Sequence, residues 1–191
     1  MELFISICLG LGLAASAGFR VFVPLFVLSL CAYVGVFPLQ EDWTWVGSLP
    51  AVLILGSATV VEILAYYIPW VDNALDTIAV PLAAIAGTLM MIATLTGMDP
   101  VISWSLAIIA GGGTAAAIAG TTGGTRLASS VSTGGIANPV VSTVEAGTAT
   151  VLSLLSVFLP IVAFILVLVI IWIVFRSYRK LSRKRKQKTS S

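Results

Sequence analysis

Apolar residues run through most of this chain, broken at intervals by glycine, proline and short polar stretches. A helix needs about 20 apolar residues to cross a bilayer. On that measure the pattern predicts spans over residues 49–68, 75–96, 101–119, 139–159 and 160–175. The opening apolar stretch, residues 3–36, is too long for one span: as a straight helix it would reach about 50 Å at 1.5 Å per residue. It has to tilt and break, or fold into two shorter helices. Gly18-Phe19-Arg20, with Pro24 beyond, marks the place, because proline lacks a backbone donor and clashes with the preceding turn. Trp43, Trp45, Trp70, Trp104 and Trp172 fall near the predicted span ends, where tryptophan prefers to lie. The expected fold is all-α, a polytopic membrane helix bundle of about six to seven spans. Residues 1–178 would form the membrane domain and residues 179–191 a basic tail expected to be disordered.

The first helix has a second reading. Residues 3–13 resemble the apolar region of a signal peptide, and Ala15-Ser16-Ala17 a cleavage site. The residues ahead of them carry Glu2 and no Lys or Arg, so the segment is read as a retained helix.

Composition agrees with a membrane class. The 191 residues are 59% apolar and 9% charged, with no histidine, against about 25% charged in a soluble domain. The net charge of +2 hides an asymmetry, because eight of the ten basic residues lie between Arg176 and Lys188 while all eight acids lie ahead of them. By the positive-inside rule the C-terminus is cytoplasmic, in a multi-pass protein of the inner (plasma) membrane. The basic run also reads as an anchor for anionic lipid in the bilayer. No nucleic-acid partner is expected.

Two basic residues stand apart from the tail. Arg20 and Arg126 each follow glycines in an apolar setting. A charge at the bilayer centre costs about 2.5–3.5 kcal/mol on insertion scales, so it is seldom placed there without a partner or a task. Residues 10–20 (GLGLAASAGFR) and 113–126 (GTAAAIAGTTGGTR) are both small-residue runs ending in arginine, and each precedes an apolar helix with one carboxylate, Glu62 or Glu145. That pattern fits two inverted repeats with broken first helices, the usual setting of a transport site.

Two readings of these charges stay open. In one, arginine–glutamate bridges hold the bundle in register. In the other, Arg20 and Arg126 face a polar cavity and bind an anion with free N–H groups of the broken helices, while Glu62 or Glu145 takes up protons. Thr121-Thr122-Gly123-Gly124, just before Arg126, would add an anion-binding turn or serve as a plain loop. Asp72 or Asn73 would cap a helix with Asp76 in its first turn; alternatively Asp72 and Asp76, four apart, coordinate a cation together with Glu62. The small-residue spacings at Gly10, Ala14 and Gly18 and at Ala79, Ala83 and Gly87 suit close helix packing, within one bundle or in a homo-oligomer.

Nothing in the chain reads as an enzyme. It has no His, no nucleophile elbow and no Walker loop, and Cys8 and Cys31 sit in apolar runs without metal-ligand spacing. No cofactor and no metal are expected.

Several spaced motifs carry a family resemblance. They are residues 12–25 (GLAASAGFRVFVPL), Val61-Glu62, residues 68–76 (IPWVDNALD), residues 81–87 (PLAAIAG) and residues 137–145 (ANPVVSTVE). Over roughly residues 9–168 the chain resembles a bacterial membrane family known as domain of unknown function 4126. It departs from that pattern at Val80, where members tend to carry a base, and at Ala146, where they often carry an acid. The resemblance implies no established activity. The residues themselves suggest a small transporter or channel-like protein for an anion or anionic lipid head group, or else a non-enzymatic membrane scaffold or assembly protein.

Overall fold

The computed structural model describes the backbone of residues 2–36, 38–134 and 136–188, and their side chains apart from 69, 73 and 177–188. Among the described residues eight α-helices follow one another: α1 (Glu2–Ala17), α2 (Phe22–Tyr33), α3 (Leu49–Ala65), α4 (Pro69–Thr94), α5 (Pro100–Leu106), α6 (Gly113–Thr133), α7 (Asn138–Phe158) and α8 (Pro160–Lys188). A short 3-10 helix, Glu41–Gly47, precedes α3, and a π-helical segment, Ala107–Gly112, joins α5 to α6 in one 34-residue run. The described residues contain no strand.

Proline sets most of the helix starts. Pro50, Pro69, Pro100 and Pro139 each sit in a first turn, where the missing N–H had no helical partner to lose. Ser48 and Asp99 cap two of these helices, accepting from the N–H of Ala51 at 3.4 Å and of Val101 at 2.9 Å.

The first helix becomes the centre of the molecule. Eleven of the 16 residues of α1 are buried, and α4, α7 and α8 pack around it. Small side chains allow that enclosure, since backbones can then approach closely. A Cβ on Gly10 would stand 2.5 Å from Thr94 Oγ1, and one on Gly18 would stand 2.7 Å from the carbonyl oxygen of Ala115. Gly87 of α4 and Gly111 of the π segment meet in the same way, with a Cβ on Gly111 falling 2.6 Å from the Gly87 carbonyl oxygen.

The expected break in the opening stretch lies between Ala17 and Phe22. The 16 residues of α1 and 12 of α2 give lengths of about 24 and 18 Å. Both fall short of a hydrocarbon core of about 30 Å, so neither spans it alone as a straight helix along the normal.

Other expectations are revised. Among the described residues three helices are long and apolar enough to cross a membrane: Trp70–Thr94, Pro100–Thr133 and Asn138–Phe158. They become four if Glu41–Gly47 and Leu49–Ala65, bent by 63°, form one span. Six to seven spans would need the shorter apolar helices Glu2–Ala17, Phe22–Tyr33 and Pro160–Arg176 to cross as well. Helix α4 starts at Pro69 rather than at Leu75, so Asp72 lies in its first turn and the cap position, Ile68, has no side-chain bond. The polar stretch after Gly120 is helical through Thr133, where a loop had been one reading. Its hydroxyls explain this: Thr121, Thr125 and Thr133 donate to the carbonyls of Ala117, Thr121 and Ser129 at 2.8–3.0 Å, so they are satisfied within their own helix. Gly134 then ends α6 with a left-handed φ of +63°.

The matched helix breaks expected of two inverted repeats are not there. Arg20 lies in a link between helices, whereas Arg126 lies inside unbroken α6. The backbone of α8 is helical to Lys188, and residues 189–191 of the expected tail lie outside the described residues. Lysine, arginine and glutamine, good helix formers, make up eight of the ten residues 179–188.

Candidate functional site

Arg20, Glu62, Asp72, Asp76, Arg126 and Glu145 converge at one end of the bundle, held by α3, α4, α6, α7 and the α1–α2 link. Arg126 lies seven residues before the end of α6 (133 − 126), and Glu145 seven after the start of α7 (145 − 138). At 1.5 Å per residue the site is about 10 Å inside the helix ends.

Arg126 is the hub. Its Nε donates to Glu145 Oε1 at 3.2 Å and its Nη2 to Glu145 Oε2. Its Nη1 donates to Asp72 Oδ1 at 2.7 Å and to Asp76 Oδ1 at 3.0 Å. The two aspartates can share one nitrogen because residues four apart lie on one helix face. Asn138 Nδ2 donates to the other oxygen of Asp72 and to Ser130 Oγ, both at 3.0 Å. One side chain thereby ties α6 to α4 and α7.

Arg20 is held differently. Its Nη2 donates to the carbonyl of Ser142 at 3.1 Å and lies 3.5 Å from Glu145 Oε2. Its guanidinium carbon sits 3.6 Å from the centre of the Tyr66 ring, and that of Arg126 sits 4.2 Å from it. Stacking uses the flat face of a guanidinium and leaves the in-plane N–H groups to find other partners. Among the described residues, the Arg20 Nε and Nη1 donors have none, although Arg20 is only 2% exposed.

Glu62 pairs with neither arginine. Its Oε1 accepts from the N–H of Val21 at 2.9 Å and its Oε2 from the N–H of Phe22 at 3.0 Å. These are among the first amides of α2, which have no partner within the helix, and Val21 provides no side-chain cap. A carboxylate from α3 therefore caps α2. The expected pair of arginine–glutamate bridges is replaced by one glutamate, Glu145, shared by both arginines.

The charges do not balance as expected. Two guanidiniums face four carboxylates, a formal sum of −2 (2 − 4). The N-terminus of α2 returns only about half a positive charge. Arg20, Glu62, Tyr66, Asp76 and Arg126 line a common cavity of about 10 Å³, room for about one water molecule.

The turn expected at Thr121-Thr122-Gly123-Gly124 does not form. These residues are helical, and the Thr121 and Thr122 hydroxyls donate to the carbonyls of Ala117 and Ala119. Thr122 alone of the four reaches the cavity wall. Asp72, Asp76 and Glu62 are not arranged as cation ligands: among the described residues no group of three His, Cys, Asp or Glu is placed to hold a metal ion, and both aspartates are turned to Arg126. Cys8 and Cys31 are buried free thiols.

Sequence reasoning missed Tyr66, Asn138 and Ser142. Tyr66 had a signal, since it stands four residues after Glu62 and so on the same helix face. Asn138 before Pro139 reads only as a helix start, and Ser142 contributes its backbone, which no side-chain pattern reveals.

A family model described as Domain of unknown function (DUF4126) matches residues 7–180 of the chain. No curated protein and no solved structure matches it.

Proposed function

The chain belongs to the DUF4126 family, whose description carries no activity, and from that premise we propose a small integral membrane transporter or channel-like protein that binds a small anion at Arg20. The observation that carries this reading is the pair of unpartnered, buried Arg20 donors beside a cavity at a helix break. Buried donors normally find partners, and a ligand would supply them. At about 10 Å³ the cavity holds about one water molecule, so the substrate is read as small and as entering only where a lining side chain gives way. Arg126, already bonded to three carboxylates, is read as a structural hub. No catalytic step is assigned.

The protein would sit in the inner (plasma) membrane with a cytoplasmic C-terminus, and the tail would rest on anionic lipid. One observation favours a second reading, a membrane scaffold or assembly protein: the closed network around Arg126 leaves that half of the cluster nothing to exchange.

Flux of several anions into proteoliposomes separates the two. Arg20→Lys keeps the charge but loses the planar fork of donors, and should cut flux at least tenfold with little change in thermal stability. No flux of any anion by the wild-type protein would return the scaffold reading.

A further inference from the structure

The Glu62 carboxylate lies where a helix takes an anion. Amide N–H groups and the helix dipole favour negative charge at an N-terminus, and in α2 the two N–H groups of Val21 and Phe22 hold the two oxygens of Glu62 at 2.9 and 3.0 Å. Across one cavity, beyond ion-pair distance of those oxygens, the Nε and Nη1 of Arg20 are buried without partners, and Arg20, Val21 and Glu62 all line its wall. The helix end alone would be satisfied by Glu62; the idle arginine donors are not.

We infer that Glu62 is a tethered occupant of a binding site for a small planar oxyanion, a monocarboxylate or nitrate, which takes its place when Glu62 accepts a proton. Shape supports the ligand class. The groove already receives a flat O–C–O group through both oxygens, and Arg20 offers two more in-plane donors. Charge supports the exchange. With a formal sum of −2, the cluster disfavours an added anion. When Glu62 becomes neutral and the anion replaces it, that sum does not change: one proton and one anion enter together.

The groups facing Glu62 are Arg20 from the link, Arg126 from α6, Asp76 from α4 across the cavity, and Tyr66 beyond the end of its own helix. Asp72 and Glu145 are held by Arg126. Against α3, helix α2 carries only Cys31 and Tyr33 near its far end, and the 3-10 helix carries Glu41 and Asp42. The inference deepens the transporter reading and depends on it for the passage step, though not for binding.

The test uses the purified full-length protein. Binding of labelled formate, which stays ionised over the range, should be at least tenfold tighter at pH 5 than at pH 8. Glu62→Gln, neutral at every pH, should bind at pH 8 as the wild type does at pH 5. Nitrate should compete better than chloride, which is spherical and takes one donor direction at a time. Binding unchanged with pH, or absent at pH 5, would overturn the site, and this arm needs no variant to fold. A folded Glu62→Gln protein that loses binding would overturn it too. In proteoliposomes, nitrate uptake driven by an inward proton gradient should follow the same pH dependence. Binding without uptake upholds the site and ends the transporter reading; uptake indifferent to pH and to Glu62→Gln ends the site and keeps that reading.

Discussion

Arg126 and Arg20 are chemically identical side chains with opposite local balances. Arg126 answers three carboxylates, while Arg20 keeps two donors unused. Removing one partner of a buried ion pair costs about 3–5 kcal/mol, because the remaining charge is left without compensation. Arg126→Leu should therefore lower stability by at least that much, read as the thermal midpoint in detergent. Adding Glu145→Leu should recover only part, since buried Asp72 and half-buried Asp76 would still lack the Arg126 cation. A midpoint within a degree of the wild type would show that the hub holds nothing. The Tyr66 ring carries two guanidiniums, and a desolvated contact of that kind contributes about 2 kcal/mol. Tyr66→Leu should thus be clearly destabilising and Tyr66→Phe should not; equal losses from both would point to the hydroxyl instead. All six charged members of the site could be picked out from the sequence, because a charge in an apolar run stands out by itself. Their pairing could not. Arg20 meets Ser142 across 122 positions, and Arg126 meets its aspartates across 54 and 50, and no local spacing encodes such distances.

Glycine does two different jobs in the helices. At Gly111 a Cβ would strike the Gly87 carbonyl oxygen at 2.6 Å, whereas at Gly123 and Gly124 it would meet nothing within 4 Å. Overpacking a tight contact costs about 1–3 kcal/mol, while alanine in an open helix interior gains up to about 1 kcal/mol over glycine. Gly111→Ala should destabilise the protein, and Gly123→Ala and Gly124→Ala should stabilise it, in the same thermal assay. A loss at Gly123 as large as at Gly111 would bring back the anion-binding turn. The same contrast explains where the reading of elements succeeded. Break signals at Gly18 to Pro24 were legible because an apolar run of that length cannot stay straight in a bilayer. Continuity through Thr121–Arg126 was not, because glycine, serine and threonine signal loops in water, and only the helix itself reveals that each hydroxyl folds back onto a carbonyl.

The whole molecule is polarised along its helices, with the ionisable cluster towards one end and the aromatic contact of Phe4 with Phe164 pairing the beginnings of α1 and α8. In the proposed orientation the end that carries the basic tail faces the cytoplasm. Cysteine introduced as Ser190→Cys should react with an impermeant reagent only after cells are opened; reaction in intact cells would reverse the orientation. Replacing Arg183, Lys184, Arg185 and Lys186 with Gln should weaken the binding of a tail peptide to anionic vesicles by about 1 kcal/mol per residue, and unchanged binding would leave orientation as the tail's sole role. The all-α class was legible from apolar length alone. Which helix lies inside was not, because every helix here is apolar and only the smallness of residues 10–17 distinguishes the enclosed one.

That enclosure has a consequence for biosynthesis. Helix α1 leaves the ribosome well before α7 and α8, which pack against it. Until Glu145 emerges, Arg20 stands without its acidic partner. The nascent chain must keep its centre half-covered, with α4 in place and α7 and α8 still to come, and assembly closes inward onto an earlier segment. A ribosome that stalls before α7 would release a chain whose centre lacks two of its three walls, an obvious mark for quality control.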